Sequence, residues 1–303
     1  MREDGGVTSA TERPEPHQRP RTAAGEPAPV AGPVRLIATD LDGTLLRDDK
    51  SVSDRTVAAL AAAERAGIDV FFVTGRPARW MDVVSAHVHG HGLAICANGA
   101  AVVDLHRGGR VVDLRPLHRL SAMDVVGALR VAAPGTSFAV ELTSGLHHEP
   151  EYPPFPLDTG ARVKAAELLL AEDAWDAEHH LLKLLAHHPV ISPDEYLALA
   201  RETAGAHASF TRSSPTALLE ISGLGVSKAS TLARCCAERG ISPEEVVAFG
   251  DMPNDLEMLS WAGNSYAMAN AHPEVLAATS ARTTGNNEDG VAAVIEAILE
   301  RQT

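Results

Sequence analysis

Two separated stretches of the chain alternate short apolar runs with amphipathic segments. Val34 to Thr39 is apolar at nearly every position and is followed by an acid, the pattern of a strand buried on both faces. Ser53 to Ala66 reads as an amphipathic helix, with Gly67 placed to cap its C-terminus. Ile68 to Val73 is a second buried strand, then a helix runs from Arg79 to Val88 and a third strand from Leu93 to Ala97. Strand alternating with helix predicts right-handed crossovers and a parallel sheet.

The rhythm breaks near Gly99. Ala101 to Leu105 and Arg110 to Leu114, separated by Arg107-Gly108-Gly109, read as a hairpin. Beyond it, Ser137 to Leu142, His180 to Ala186, Ala208 to Thr211 and Ala217 to Ile221 read as strands. Helices are expected around Ala122 to Ala132, Ala161 to Ala171 and Asp194 to Thr203. Short strands with interspersed helices predict an α+β module, one antiparallel sheet covered on one face. Alternation then resumes, with helices Lys228–Arg239, Asn254–Ala262, His272–Ala278 and Gly290–Arg301 around strands Val246–Phe249 and Tyr266–Ala269. The expected fold class is α/β, a Rossmann-like parallel-sheet core over 34–100 and 217–303 with an inserted α+β domain over 101–216.

Composition narrows the function. The 303 residues are 45% hydrophobic and 22% charged, which suits a folded protein with a sizeable core. Residues 1–33 differ: Pro14, Pro16, Pro20, Pro27, Pro29 and Pro33 sit among mixed charge without periodicity, so a disordered tail is expected there. The net charge of −14 argues against a nucleic-acid partner, because phosphate backbones select clustered Lys and Arg. Cys96, Cys235 and Cys236 give no disulfide framework and suit the reducing cytoplasm. Cys235 and Cys236 fall mid-helix, as buried thiols do. No apolar run approaches the ~20 residues that cross a bilayer, so no membrane partner is expected.

Candidate chemistry gathers where strands end. Asp40-Leu41-Asp42-Gly43-Thr44 follows the first strand, and alternate residues of an extended segment face one way, so the two carboxylates can converge. Two neighbouring carboxylates repel unless a hard cation with oxygen ligands compensates them. A turn rich in Asp for hydrogen-bonding reasons explains the segment equally well. Gly250-Asp251-Met252-Pro253-Asn254-Asp255 repeats the arrangement after Val246–Phe249, though an Asp-rich helix cap would look the same. Side by side, the two strands would bring Asp251 to Asp40 and the Asp42 carbonyl, an oxygen set for Mg²⁺, with Asp255 orienting its neighbours. Thr74-Gly75-Arg76 offers a hydroxyl and free N–H groups at a strand end, suited to phosphate oxygens or to an ordinary turn. Lys228 opens a helix against its dipole, which a nearby anion would justify.

In that order, the Asp40–Thr44 segment, Thr74, Lys228 and the Gly250–Asp255 segment resemble the four motifs of the haloacid dehalogenase superfamily, within it the Cof-type (class IIB) phosphatases. The resemblance spans residues 34–302, and Ala97-Asn98-Gly99-Ala100 also looks like the family's segment entering the insertion. It implies a C2-type cap domain that selects substrate, with Mg²⁺ as cofactor held by Asp40, Asp42 and Asp251. It implies Asp40 as nucleophile and Asp42 as general acid and base, the latter needing to take up a proton near neutral pH. Thr74, Gly75, Lys228 and Asn254 would bind the phosphate. A small phosphorylated metabolite, sugar phosphate or phosphorylated cofactor, is the expected partner, and the chain is expected as a monomer or homodimer. A phosphosugar mutase uses the same aspartate, and a non-enzymatic phosphometabolite sensor is the alternative from another class. Gly223 to Lys228 lacks the Gly-Lys-Ser/Thr ending of a P-loop. The pairs His147-His148, His179-His180 and His187-His188 cannot each chelate from one strand face, and Tyr152, Phe155, Trp175 and Lys183 are assigned no role.

Overall fold

The computed structural model describes residues 30, 32–85, 92–153, 160–214, 216–279 and 281–302. The expected N-terminal tail lies almost wholly outside these residues, as does the end of the helix expected through Val88.

Among the described residues, thirteen strands lie in two sheets. Sequence order gives β1 (Leu36–Thr39), β2 (Asp69–Val73), β3 (Leu93–Cys96), β4 (Ala101–Asp104), β5 (Arg110–Leu114), β6 (Ser137–Leu142) and β7 (Gly145–His148). They are followed by β8 (Leu181–His187), β9 (Ser209–Thr211), β10 (Leu218–Ser222), β11 (Val246–Gly250), β12 (Asn264–Ala267) and β13 (Ala281–Arg282). The larger sheet runs β13-β12-β11-β1-β2-β3-β4-β5. Its first six strands are parallel, and every residue of β1, β3 and β11 is buried, so these runs are apolar throughout rather than alternating. The smaller sheet runs β7-β6-β8-β10-β9 and is antiparallel.

The helices are α1 (Asp54–Arg65), α2 (Asp82–Ser85), α3 (Arg119–Ala132), α4 (Ala166–Leu169), α5 (Pro193–Ala204), α6 (Lys228–Glu238), α7 (Leu256–Trp261), α8 (Pro273–Ala278) and α9 (Gly290–Gln302). α1 packs on α9 and α6 on α7. The β1-α1-β2 crossover steps one way along the sheet and β11-α7-β12 the other, so right-handed connections put α1 and α7 on opposite faces. The direction of travel therefore reverses between β1 and β11, and the crevice beyond their C-terminal ends is where such sheets take ligands.

Sheet membership moves both edges of the expected insertion. The hairpin β4-β5 extends the core sheet, pairing antiparallel with β3, so residues 101–114 belong to the core. At the other end, β10 pairs with β8 and β9 in the small sheet, so the core resumes after Ser222 rather than at 217. The helix expected over Ala161–Ala171 shrinks to α4, because Arg162 donates its N–H to His147 Nδ1 (2.9 Å) and Lys164 its N–H to the His148 carbonyl (3.1 Å). Those bonds tie 162–164 to the β7 edge instead.

The small sheet has two unlike faces. Phe138, Val140, Leu184, Ala186, Leu219 and Ile221 pack with Val125, Leu129, Tyr196 and Ala200 of α3 and α5. With a period of two, the intervening Glu141, Lys183 and Glu220 point away from those helices, and their bonds reach the core.

Candidate active site

Asp40 follows β1, and its N–H donates to the Phe249 carbonyl of β11 (3.1 Å), which fixes it beside the end of that strand. Asp251 follows β11 directly. Lys228, the first residue of α6, is 1% exposed, and its Nζ donates to Asp40 Oδ1 at 2.5 Å and Asp255 Oδ1 at 2.7 Å. The anion that a lysine at a helix N-terminus demands is thus two carboxylates. Asp255 uses its other oxygen to accept the N–H groups of Asp251 (3.0 Å) and Met252 (3.1 Å), so it holds the Lys228 ammonium and the Gly250–Met252 turn in one grip. A Cβ on Gly250 would lie 2.5 Å from that of Asp255, and one on Gly43 2.2 Å from Asp251 Oδ2. Gly43 is also at φ 76°, so glycine there meets both a conformational and a space requirement. The Thr44 hydroxyl donates to Asp251 Oδ1 (3.0 Å).

Carboxylate oxygens of Asp40, Asp251 and Asp255 lie within 4.8 Å of one another, and all three residues are buried. One lysine does not balance three such groups. Burial pushes the Asp40 carboxyl well above the usual range, and Asp255 and Asp251 add to that against the pull of Lys228. Burial, then Asp255, raise Asp251 to about 7 despite the Thr44 bond and Lys228. Lys228 itself is raised and stays charged, since the two carboxylates outweigh its own desolvation. Such a surplus of buried oxygen donors fits a hard divalent cation. Because both oxygens of Asp255 are already engaged, Asp40 and Asp251 are the side chains free to hold it, with Asp255 behind them.

Asp42 stands elsewhere. Its side chain is 43% exposed and takes a two-pronged bond from Arg76, Nε to Oδ2 at 2.6 Å and Nη2 to Oδ1 at 2.7 Å, with Lys50 Nζ 2.8 Å from Oδ1. Burial alone would raise its carboxyl, but the bonds from Arg76 and Lys50 outweigh that and hold it at about 2. In this arrangement the two cations hold the Asp42 carboxyl ionised, and its side chain lies outside the carboxylate cluster. No local pattern marks either cation: Arg76 stands in an ordinary turn and Lys50 in a polar loop.

Thr74 follows β2 and is 1% exposed, and its hydroxyl accepts the Arg76 N–H (3.1 Å). Gly75 follows, its carbonyl accepting from Lys183 Nζ (2.8 Å). Asn98, left-handed at φ 54°, donates through Nδ2 to Glu220 Oε2 (2.7 Å) and accepts at Oδ1 from Asn254 Nδ2 (3.2 Å). Asn254 Oδ1 and Ser222 Oγ are buried without a hydrogen-bond partner. Both residues line a cavity of about 400 Å³ that also touches Lys228, Asn98, Phe210 and Ser227.

Four segments distant in sequence thus meet at the crevice where the sheet reverses direction. The sequence model of one family, haloacid dehalogenase-like hydrolase, matches residues 37–295. The chain belongs to that family. Among curated relatives of this hydrolase, a putative phosphatase of Bacillus subtilis, YxeH, is 28% identical over 88% of this chain and 98% of its own. The 5-amino-6-(5-phospho-D-ribitylamino)uracil phosphatase YitU of the same organism is 30% identical over 85% of this chain and 94% of its own. A solved haloacid dehalogenase-like hydrolase from B. subtilis superposes with a TM-score of 0.74 at 25% identity, covering 87% of this chain and 99% of that one. The Cof-type resemblance, the Rossmann-like core with its inserted domain and the expectation of a phosphatase are borne out. Among the described residues no helix is long and apolar enough to cross a membrane.

Proposed function

We propose that this hydrolase cleaves a small phosphate monoester by way of a phosphorylated Asp40, with Mg²⁺ as cofactor. The observation that carries the reading is the Lys228 ammonium clasped by Asp40 and Asp255 beside Asp251. Asp40 and Asp251 would hold the ion, together with the Asp42 carbonyl. Bound there, Mg²⁺ would neutralise charge on the carboxylates and on the phosphoryl oxygens.

Asp40 attacks phosphorus in line, forming the acyl-phosphate bond as the ester P–O bond breaks, and water then cleaves the aspartyl-phosphate. Lys228 keeps its positive charge throughout, holding Asp40 in place and opposing the charge that develops on the transferring group. The Thr74 hydroxyl and the Gly75 N–H bind phosphoryl oxygens, with Asn254 beside them. Asp42 protonates the leaving alkoxide and later takes the proton of the attacking water. To do so it must be released from Arg76 and Lys50. A dianionic phosphoryl group supplies the competing charge, and a carboxyl stripped of two cations returns toward its ordinary range.

The inserted domain closes over the organic part of the substrate. The adjoining cavity, with unpartnered oxygens on Ser222 and Asn254, suits a hydroxylated leaving group such as a sugar phosphate or a phosphorylated cofactor. YitU's phosphoribityl substrate is of that kind. Cys96 and Cys236 are buried, with thiols pushed up to about 12 by desolvation, and they fit a reducing cytoplasm without chemistry of their own. The test is phosphate release from a panel of sugar phosphates, cofactor phosphates and nucleotides. Turnover on sugar or cofactor phosphates that stops on chelation and returns with Mg²⁺ is expected. Absence of turnover on the whole panel would defeat the reading.

A second measurement addresses the ion directly. In the metal-free protein Asp251 holds its proton to about pH 7, against 3.8 for a free carboxyl. The folded state thus binds this proton more tightly than the unfolded chain, so the stability it contributes is complete below about pH 4 and lost as pH rises through about 7. Mg²⁺ competes with that proton. The rise in melting temperature on adding Mg²⁺ should therefore grow between about pH 5 and about pH 8. A rise independent of pH would remove Asp251 from the ion.

A further inference from the structure

We propose that Lys183, from the inserted domain, is a positioning residue for the phosphoryl-binding turn Thr74-Gly75-Arg76; the proposal rests on the phosphohydrolase reading above. Lys183 sits in β8 among apolar residues, and its side chain is 7% exposed. Burial of an ammonium is costly, and pairing with Glu220 Oε2 at 2.5 Å within the same sheet offsets it. Both partners, however, also reach the core. Lys183 Nζ donates to the Gly75 carbonyl (2.8 Å), and Glu220 Oε2 accepts from Asn98 Nδ2 (2.7 Å). Ser213 donates to the remaining oxygen of Glu220. A Cβ at Gly75 would lie 3.3 Å from both Asn98 Oδ1 and Glu220 Oε2, so the missing side chain admits this close approach.

What Lys183 grips is one side of a peptide plane. The Gly75 carbonyl and the Arg76 N–H belong to a single trans peptide and point in opposite directions. With the carbonyl held by Lys183, the N–H is turned to the Thr74 hydroxyl, to which it donates at 3.1 Å. A hydroxyl that accepts on its oxygen keeps its own proton to donate. The accepted N–H fills one lone pair of the Thr74 oxygen and so restricts where its O–H can point, leaving that donor for an incoming phosphoryl oxygen. The inserted domain supplies the group that orients it, and the Asn98–Asn254 bond carries the same contact to the other side of the site. Docking of the inserted domain thereby sets the phosphate-binding donor as well as covering the substrate.

The test replaces the pair together, Lys183→Met with Glu220→Gln, so that no buried carboxylate is left uncompensated. Lys183→Arg, which keeps the charge and the donor, is made alongside. Kinetics are measured on para-nitrophenyl phosphate and on the best metabolite from the panel, with melting temperatures for each protein. A positioning role predicts a kcat lower by on the order of a hundredfold for the double variant on both substrates, with little change in KM or melting temperature. Lys183→Arg is expected to recover most of that loss. Unchanged kcat in the double variant overturns the proposal, as does a loss confined to the metabolite, which would make Lys183 a group that recognises the leaving group. A double variant that loses kcat only in proportion to a lowered melting temperature, with no recovery in Lys183→Arg, overturns it too. A wild-type enzyme without turnover defeats the hydrolase reading and this proposal with it.

Discussion

Asp40→Asn is expected to lower phosphate release by about ten-thousandfold or more, the scale on which removal of a nucleophile is felt. The amide is nearly isosteric and can still accept the Lys228 hydrogen bond through its oxygen, so the side chain stays in place while the attacking charge is lost. Stability should move the opposite way. Asp40 is 5% exposed, and burial, with Asp255 and Asp251 adding to it, holds its carboxyl well above the usual range. A group whose folded pKa is raised contributes stability at low pH and loses it as pH rises through the folded value. Near neutral pH without metal, a neutral side chain at position 40 relieves that loss, so the variant should melt no lower than wild type. Inactivity with retained melting temperature would separate chemistry from folding in one experiment. Retention of more than about a hundredth of the wild-type rate would make some other group the nucleophile.

The core strands and the residues at their ends were legible because a strand buried on both faces must be apolar throughout, so an acid at its end stands out. Asp40, Asp251, Asp255 and Lys228 meet as their positions in the motifs implied. What the sequence withheld was set by partners far along the chain. A hairpin signal in residues 101–114 says that the two strands pair with each other, and only the β3–β4 register says which sheet they extend. Residues 218–222 read as a buried strand in either sheet, and pairing with His187 to Leu184 decides between them. Asp42 carries the same motif position as expected, yet its proton affinity is fixed by Arg76 and Lys50, whose approach no local pattern encodes. A weak signal did exist for the inserted domain's share of the site. Lys183 and Glu220 are lone charges inside otherwise apolar strands, Leu-Leu-Lys-Leu-Leu and Leu-Leu-Glu-Ile, and such a charge must find a partner.

Lys228→Met should damage stability and activity together. The substitution removes the cation that is 2.5 Å from Asp40 and 2.7 Å from Asp255, and Asp255 is fully enclosed. Breaking a buried pair from one side leaves the other charge uncompensated, at a cost of roughly 3–5 kcal/mol. For a domain of this size that is a fall in melting temperature of roughly 10 °C. The loss has a pH signature. With Lys228 absent, Asp40, whose carboxyl burial already raises, escapes the penalty by binding a proton, so the destabilisation at about pH 8 should exceed that at about pH 5. Added Mg²⁺ offers an alternative counter-charge and should recover part of the melting temperature in the variant. Turnover should not recover with it, because the ammonium also faces the charge that develops on the transferring group, and that position is now a thioether. A variant that regains wild-type kcat once Mg²⁺ restores its stability would reduce Lys228 to a structural counter-ion and leave charge neutralisation in the reaction to other groups.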